Sequence, residues 1–328
     1  MQAWLCETLQ GVDALRWAEL PTPEPKAGEV RIAIKAASLN FPDLLTVKGQ
    51  YQFKPPLPFV PGSEFAGLVE AVGDGVQHLS VGQAVACVGS SGGFGTHACV
   101  NAASVMPLPP GFDIVDAAAF ALTYGTSHHA LLDRAQMKAG ETLLVLGAAG
   151  GVGTAAIQIA KACGARVIAA TSSAAKGEFC KSLGADAVLN YAEGDAQQLR
   201  DRIKELTGGK GPDIVYDPVG GDLAEPVFRS IAWRGRYLVV GFAQGAIPAL
   251  PWNLALLKGA SIVGVFWGDF VRREPKASAA GMAQLATWYR EGKVKPAIDR
   301  RLPMREVHAA YARMGTRQVL GKVVLVND

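Results

Sequence analysis

The sequence predicts an α/β chain built from a strand-rich, partly open β-barrel and a doubly wound parallel sheet. Three observations carry this prediction. Up to about residue 120, short β-type runs alternate with Gly and Pro turns. From about residue 124 the rhythm changes to strand, helix, strand. Between residues 143 and 153 an apolar run, Leu143-Leu144-Val145-Leu146, leads through Gly147-Ala148-Ala149-Gly150-Gly151-Val152-Gly153 into a helical stretch. That last pattern is A-x-G-x-x-G, with Ala148 in place of the first glycine of the usual dinucleotide fingerprint.

The elements follow in order. The runs Glu29–Lys35, Phe65–Gly73 and Gln83–Val88 are spaced as strands of a small barrel. Candidate parallel strands are Thr142–Leu146, Arg166–Ala170, Ala187–Asn190, Asp213–Asp217, Arg236–Val240 and Ser261–Phe266. Helical stretches lie between them: Ala155–Ala162, closed by Gly164, and Ala196–Leu206, closed by Gly208 and Gly209. After Trp267 come a helix over Ala277–Arg290, another over Glu306–Met314 and a last strand, Lys322–Val326. The expected division is residues 1–123 as a catalytic domain, 124–266 as an inserted nucleotide domain, and 267–328 as a return to the first.

Composition narrows the function. The chain has 328 residues, 49% hydrophobic and 19% charged, which suits a packed globule of about two domains. A net charge of +3, without clustered basic and aromatic residues, gives no indication of nucleic acid. No apolar run approaches the roughly 20 residues of a membrane span. The N-terminus reads as a first strand with no secretion signal, so a cytoplasmic protein is expected. Cys6, Cys87, Cys99, Cys163 and Cys180 are scattered without a C-x-x-C pair, so neither a metal site nor a disulfide framework is expected.

In such a turn, the backbone amides of Ala149, Gly150, Gly151, Val152 and Gly153 face a diphosphate at the positive end of the following helix. An Asp or Glu at the end of the second strand would select NADH by binding the ribose hydroxyl. Here that strand ends Thr171-Ser172-Ser173, with Lys176 close behind. Hydroxyls and an ammonium suit a 2′-phosphate, which predicts NADPH. The competing reading makes the serines a helix cap and Lys176 a solvated charge.

Asn40-Phe41-Pro42-Asp43, Leu57–Gly67 (LPFVPGSEFAG), the Ala148–Gly153 turn and terminal Gly321-Lys322-Val323-Val324-Leu325 occur in this order along the whole chain. Together they resemble the medium-chain dehydrogenase/reductase superfamily, specifically its zinc-free, zeta-crystallin-like quinone oxidoreductase branch. The resemblance implies a GroES-like catalytic domain with an inserted Rossmann domain, NADPH and a homodimer. Zinc-dependent relatives carry ligands where this chain has Asn40 and Ser63, and Ser63, Glu64 and His97 supply no complete zinc set.

Asn40 and Tyr51 are the candidate catalytic residues, as hydrogen-bond donors to a substrate oxygen that gains charge. Asn40 is alternatively a contact to the nicotinamide ribose, and Asp43 reads as turn chemistry. The resemblance sets Thr123 near the nicotinamide ribose, Tyr191 at the adenosine end and Arg317 over the cofactor. A helix cap, an ordinary strand-end tyrosine and a surface arginine are the rival readings. Gly241-Phe242-Ala243 and Phe266-Trp267 end strands at the carboxyl edge, where cofactors lie. Trp252, Phe266, Trp267 and Phe270 are expected to make the substrate pocket apolar, and Ser261–Trp267 to pair with a second copy. Adjacent His128 and His129 point about 100° apart and cannot chelate together, and Glu64 reads as structural. The expected reaction is hydride transfer from NADPH to a quinone or an α,β-unsaturated carbonyl, without zinc. The alternatives are an enone or enoyl-thioester reductase, and an NADPH-binding protein with little turnover.

Overall fold

A computed structural model describes residues 1–89 and 91–328, in two compact units: Met1–Leu122 with Ile298–Asp328, and Thr123–Ala297. The first is organised by a seven-stranded, mainly antiparallel sheet. Its order is Ile298–Pro303, Lys322–Val326, Glu29–Ser38, Glu64–Val72, Ala84–Val88 and Val105–Pro107, with His97–Asn101 also pairing to Glu29–Ser38. The long strand alternates half-buried and buried residues, and its Val30, Ile32 and Ile34 enter an apolar core with Phe65, Phe94 and Leu325. Register shifts at Arg31/Ile32 and Ile34/Ala36 mark bulges in its pairing with Glu64–Val72, and the strand pairs with three others in all. On another face small residues allow close approach: Ala117, Ala118 and Ala119 pack on Ala36, Ala66 and Ala86.

Register decides which polar groups meet. Ser38 pairs with Glu64 on one side and with Val324 on the other. Continued by two residues, the second pairing brings Lys322 alongside Asn40.

The second unit contains a six-stranded parallel sheet. Counted within the unit, its order is third, second, first, fourth, fifth, sixth: Ala187–Asn190, Arg166–Thr171, Thr142–Val145, Ile214–Asp217, Arg236–Val239, Ser261–Gly264. That order is the doubly wound arrangement the sequence predicts, and the reversal between first and fourth strands marks the usual ligand crevice. Leu144, Leu146, Ile168, Val215 and Phe228 form part of its core.

Three boundaries differ from expectation. The helix after the glycine turn starts at Gly151, because Gly150 takes the extended cap conformation and the small residues continue directly into helix. The last parallel strand stops at Gly264, and Phe266 heads the helix Trp267–Arg273. That helix and Pro275–Arg290 lie within the second unit, so the return to the first begins at Ile298 rather than 267. Their contacts explain the difference: Phe270 stacks on His129 at 4.0 Å between ring centroids, and Gln284 Oε1 meets His128 Nε2 at 2.8 Å.

Candidate active site

The glycine turn is built to leave donors exposed. Gly147, with φ +57°, reverses the chain directly after the first parallel strand. Thr154 N–H to Gly150 O, at 2.8 Å, is the first helical hydrogen bond, so the amides of Gly151, Val152 and Gly153 precede the ladder. Gly153 has no room for a side chain: a Cβ there would lie 2.7 Å from the carbonyl oxygens of both Gly147 and Ala148. At Gly150 the nearest atom would be 3.4 Å away. Gly153 therefore serves packing, whereas Gly150 has room for a methyl group. Three unsatisfied donors at the head of a twelve-residue helix fit a diphosphate.

At the end of the second strand the two serine hydroxyls have different partners. Ser173 Oγ caps the helix Ala174–Ser182 by accepting from Lys176 N–H. Ser172 is left to Lys176, whose Nζ donates to its Oγ at 3.0 Å. Tyr191 follows the neighbouring strand, and its N–H donates to Thr171 O. Hydroxyl and ammonium are thus together at the strand end, with no Asp or Glu between 171 and 176.

Other predicted residues are placed less simply. The N–H groups of Gly241 and Ala243 donate to Asp217 O and Pro218 O, which commits those two amides to the fold; Phe242 lies between them. Thr123 is buried in the helix Ala121–His128. Trp267 covers Gly125 so closely that a Cβ on that glycine would meet its ring at 2.6 Å. Of the aromatic residues expected around a substrate pocket, Trp252 and Phe266 are 87% and 58% exposed. Trp267 and Phe270 line a cavity of about 80 Å³ with His128 and His129, too small for a quinone. Arg317 lies after the helix Val307–Gly315, exposed and with φ +55°.

In the first unit, Asn40 belongs to a buried polar knot. It caps the helix Phe41–Val47 in a reciprocal capping box with Asp43. Its Nδ2 donates to Glu64 Oε2 at 3.1 Å and to Ser38 O at 3.4 Å, and its Oδ1 accepts from Lys322 Nζ. Both amide hydrogens are used inside the protein, which corrects the expectation of Asn40 as a donor to substrate. Asp43 accepts from the N–H groups of Asn40 and Ser63. Burial pushes its carboxyl up to about 6 despite those bonds and the nearby Lys322 ammonium.

Tyr51, four residues beyond that helix, is half-buried. Burial and the Asp43 charge both raise its phenol, so it remains a protonated donor at neutral pH. Among the described residues no three His, Cys, Asp or Glu side chains group to hold a metal.

Two residues escaped sequence reasoning. Lys322 is buried in an otherwise apolar strand and donates to Leu39 O, Asn40 Oδ1 and Glu64 Oε2. Its signals were a charge inside a strand pattern and its place in the terminal Gly321–Leu325 motif. Asp217 ends the fourth parallel strand and accepts from Val219 N–H, Gly220 N–H and the Tyr237 hydroxyl. It shapes the Pro218–Gly221 turn, and an acid before Pro-Val-Gly-Gly was its signal.

Comparison with known proteins agrees with this construction. Residues 26–110 match the family described as alcohol dehydrogenase GroES-like domain, and residues 151–285 the family described as zinc-binding dehydrogenase. The chain is 36% identical over 300 residues to a quinone oxidoreductase-like protein 2 homolog of Nematostella vectensis, covering 90% of this chain and 81% of that protein. A mycobacterial structure complexed with NADPH superposes with a TM-score of 0.93 at 32% identity over the full length of both chains. The quinone oxidoreductase of Thermus thermophilus, also solved with NADPH, superposes with a TM-score of 0.86 at 32% identity, again over both full lengths. The chain is therefore an oxidoreductase of the medium-chain dehydrogenase/reductase superfamily and belongs to its quinone oxidoreductase branch.

Proposed function

We propose that this chain is an NADPH-dependent reductase that passes hydride to a quinone or a related α,β-unsaturated carbonyl without zinc, as a cytoplasmic homodimer. The observation that carries the reading is the pairing of three free amides behind the glycine turn with Ser172 and Lys176 at an acid-free strand end. NADPH, when bound, supplies the hydride.

The chain's own residues bind, orient and polarise. The amides of Gly151, Val152 and Gly153, with the bare Ala149-Gly150 approach, hold the diphosphate. Ser172 and Lys176 hold the 2′-phosphate, with Tyr191 beside them. Asn40, Thr123, Gly241, Phe242, Ala243, Phe266, Trp267 and Arg317 are proposed cofactor contacts. Tyr51 donates a hydrogen bond to the oxygen that gains negative charge; its raised phenol pKa keeps the proton available. Quinones take up electrons readily, so the demand on this donor is modest.

The test is oxidation of NADPH and NADH against a panel of quinones, enones and enoyl thioesters. NADPH is expected to be preferred, and Lys176→Ala to raise its KM about tenfold or more while sparing NADH, as expected for one charge-assisted hydrogen bond. Tyr51→Phe should lower kcat about ten- to hundredfold with little change in cofactor affinity. Tight NADPH binding without turnover of any acceptor would make the chain a binding protein. Turnover confined to enoyl thioesters would replace the quinone reading.

A further inference from the structure

Lys322 is a fully buried ammonium in a strand whose other residues are all valine or leucine. A buried ion pair is weak evidence for stability, because apolar residues of similar volume often serve the fold as well. The geometry of this one offers another use. An ammonium only donates and a carboxylate only accepts, so Lys322 and Glu64 admit a single orientation of the Asn40 amide. Asn40 in turn caps the helix Phe41–Val47, and Asp43 of that helix is tied to Ser63 at the head of the Glu64–Val72 strand. Lys322 also donates to Leu39 O at 3.0 Å, which fixes the residue before the cap. Glu64 completes the knot by accepting from Ser38 Oγ and Leu122 N–H, both at 2.8 Å. From the end of this helix to Tyr51 there is only a turn through Gly49.

We infer that Lys322 is a positioning residue: by locking the Asn40 cap it holds the Phe41–Val47 helix and the Tyr51 segment in their working arrangement. The inference rests on the proposed reading only in the part assigned to Tyr51. Because Lys322 and Glu64 compensate each other's charge, removing both takes out the pair together, leaves the Asp43 carboxyl with its Asn40 and Ser63 N–H donors, and frees the Asn40 amide to turn over. Fold and positioning can therefore be separated.

The experiment compares the full chain with Lys322→Met, Lys322→Arg and the double variant Lys322→Met/Glu64→Gln. It reads thermal stability, amide hydrogen exchange of residues 39–52 in the cofactor-free protein, and kcat and KM with a quinone. Lys322→Met alone should lose stability, and the double variant should recover most of it. In the double variant exchange over 39–52 should still be about tenfold faster than in the parent. Its kcat should remain about tenfold lower, as expected when a donor is misplaced. A double variant that regains stability, exchange protection and kcat together overturns the inference. Should neither Met variant fold, Lys322→Arg keeps the charge and decides: faster exchange over 39–52 at retained stability supports the inference, and unchanged exchange overturns it. If Tyr51→Phe turns over like the parent, the reading of Tyr51 falls while the exchange result stands.

Discussion

Asp43 shows how a single buried side chain makes its surroundings depend on pH. Its two oxygens take the N–H groups of Asn40 and Ser63, yet desolvation outweighs these bonds and leaves the carboxyl at about 6. The folded chain thus holds this proton more tightly than the unfolded chain does. Protonation favours the fold at low pH, and the advantage is lost as pH rises from the ordinary carboxylate range through about 6. A displacement of about two pH units corresponds to about 3 kcal/mol. Asp43→Asn removes the titration but can satisfy only one of the two donors. Measured by denaturant midpoint, the variant should be clearly less stable than the parent at pH 4 and should close much of that gap by pH 7. Parallel stability curves would show that Asp43 titrates normally. The sequence pointed to a structural Asp43, because Asn-Phe-Pro-Asp is turn chemistry in itself. It could not foretell the knot around Asn40: residues 40, 64 and 322 meet through strand register, which local periodicity does not encode.

At the scale of elements, the strand-turn-helix at 142–162 was readable because each piece has a short-range cause. An apolar run forms the strand, Gly147 takes a positive φ, and small residues let the helix lie against the sheet. Gly150 and Gly153 have separable roles, and this gives a prediction. Gly153→Ala drives a methyl group into two carbonyl oxygens and should destabilise the protein by about 1–3 kcal/mol, the usual range for overpacking. Gly150→Ala meets ordinary van der Waals distance at a φ of −81°, so its melting temperature should barely move. If a diphosphate sits on the following amides, an added methyl group crowds it, and NADPH affinity measured by calorimetry should fall about tenfold, the loss of roughly one good contact. Equal effects of both variants on stability, with cofactor affinity untouched, would remove the diphosphate from this turn. The ends of the later strands were less legible. Phe266 and Trp252 look like pocket residues from their type alone, whereas exposure depends on which helix each one heads.

For the whole molecule, the unfinished feature is the edge of the parallel sheet. The strand Ser261–Gly264 pairs with Arg236–Val239 on one side only, and its residues are exposed or half-exposed. The N–H groups of Ser261 and Val265 donate inward to Gly235 and Val239, so that of Ile262 points outward. Ile262 is 45% exposed, and the adjoining helix Asn253–Lys258 exposes Leu256 and Leu257. Arg134 Nε takes the Gly264 carbonyl at 3.1 Å, and the rest of the edge, flanked by apolar side chains, is a template for another strand; natural proteins protect such edges or pair them. A second copy related by a two-fold axis would pair the same strand with itself and close both edges at once. Light scattering after size exclusion should then give twice the chain mass. Ile262→Pro removes the outward donor without touching the inward bonds, and proline is tolerated on an edge strand. It should shift the protein to single-chain mass while its circular dichroism is retained. A monomeric parent, or a variant that stays paired, would show that this edge is shielded by its own loops and that any two-fold contact lies elsewhere.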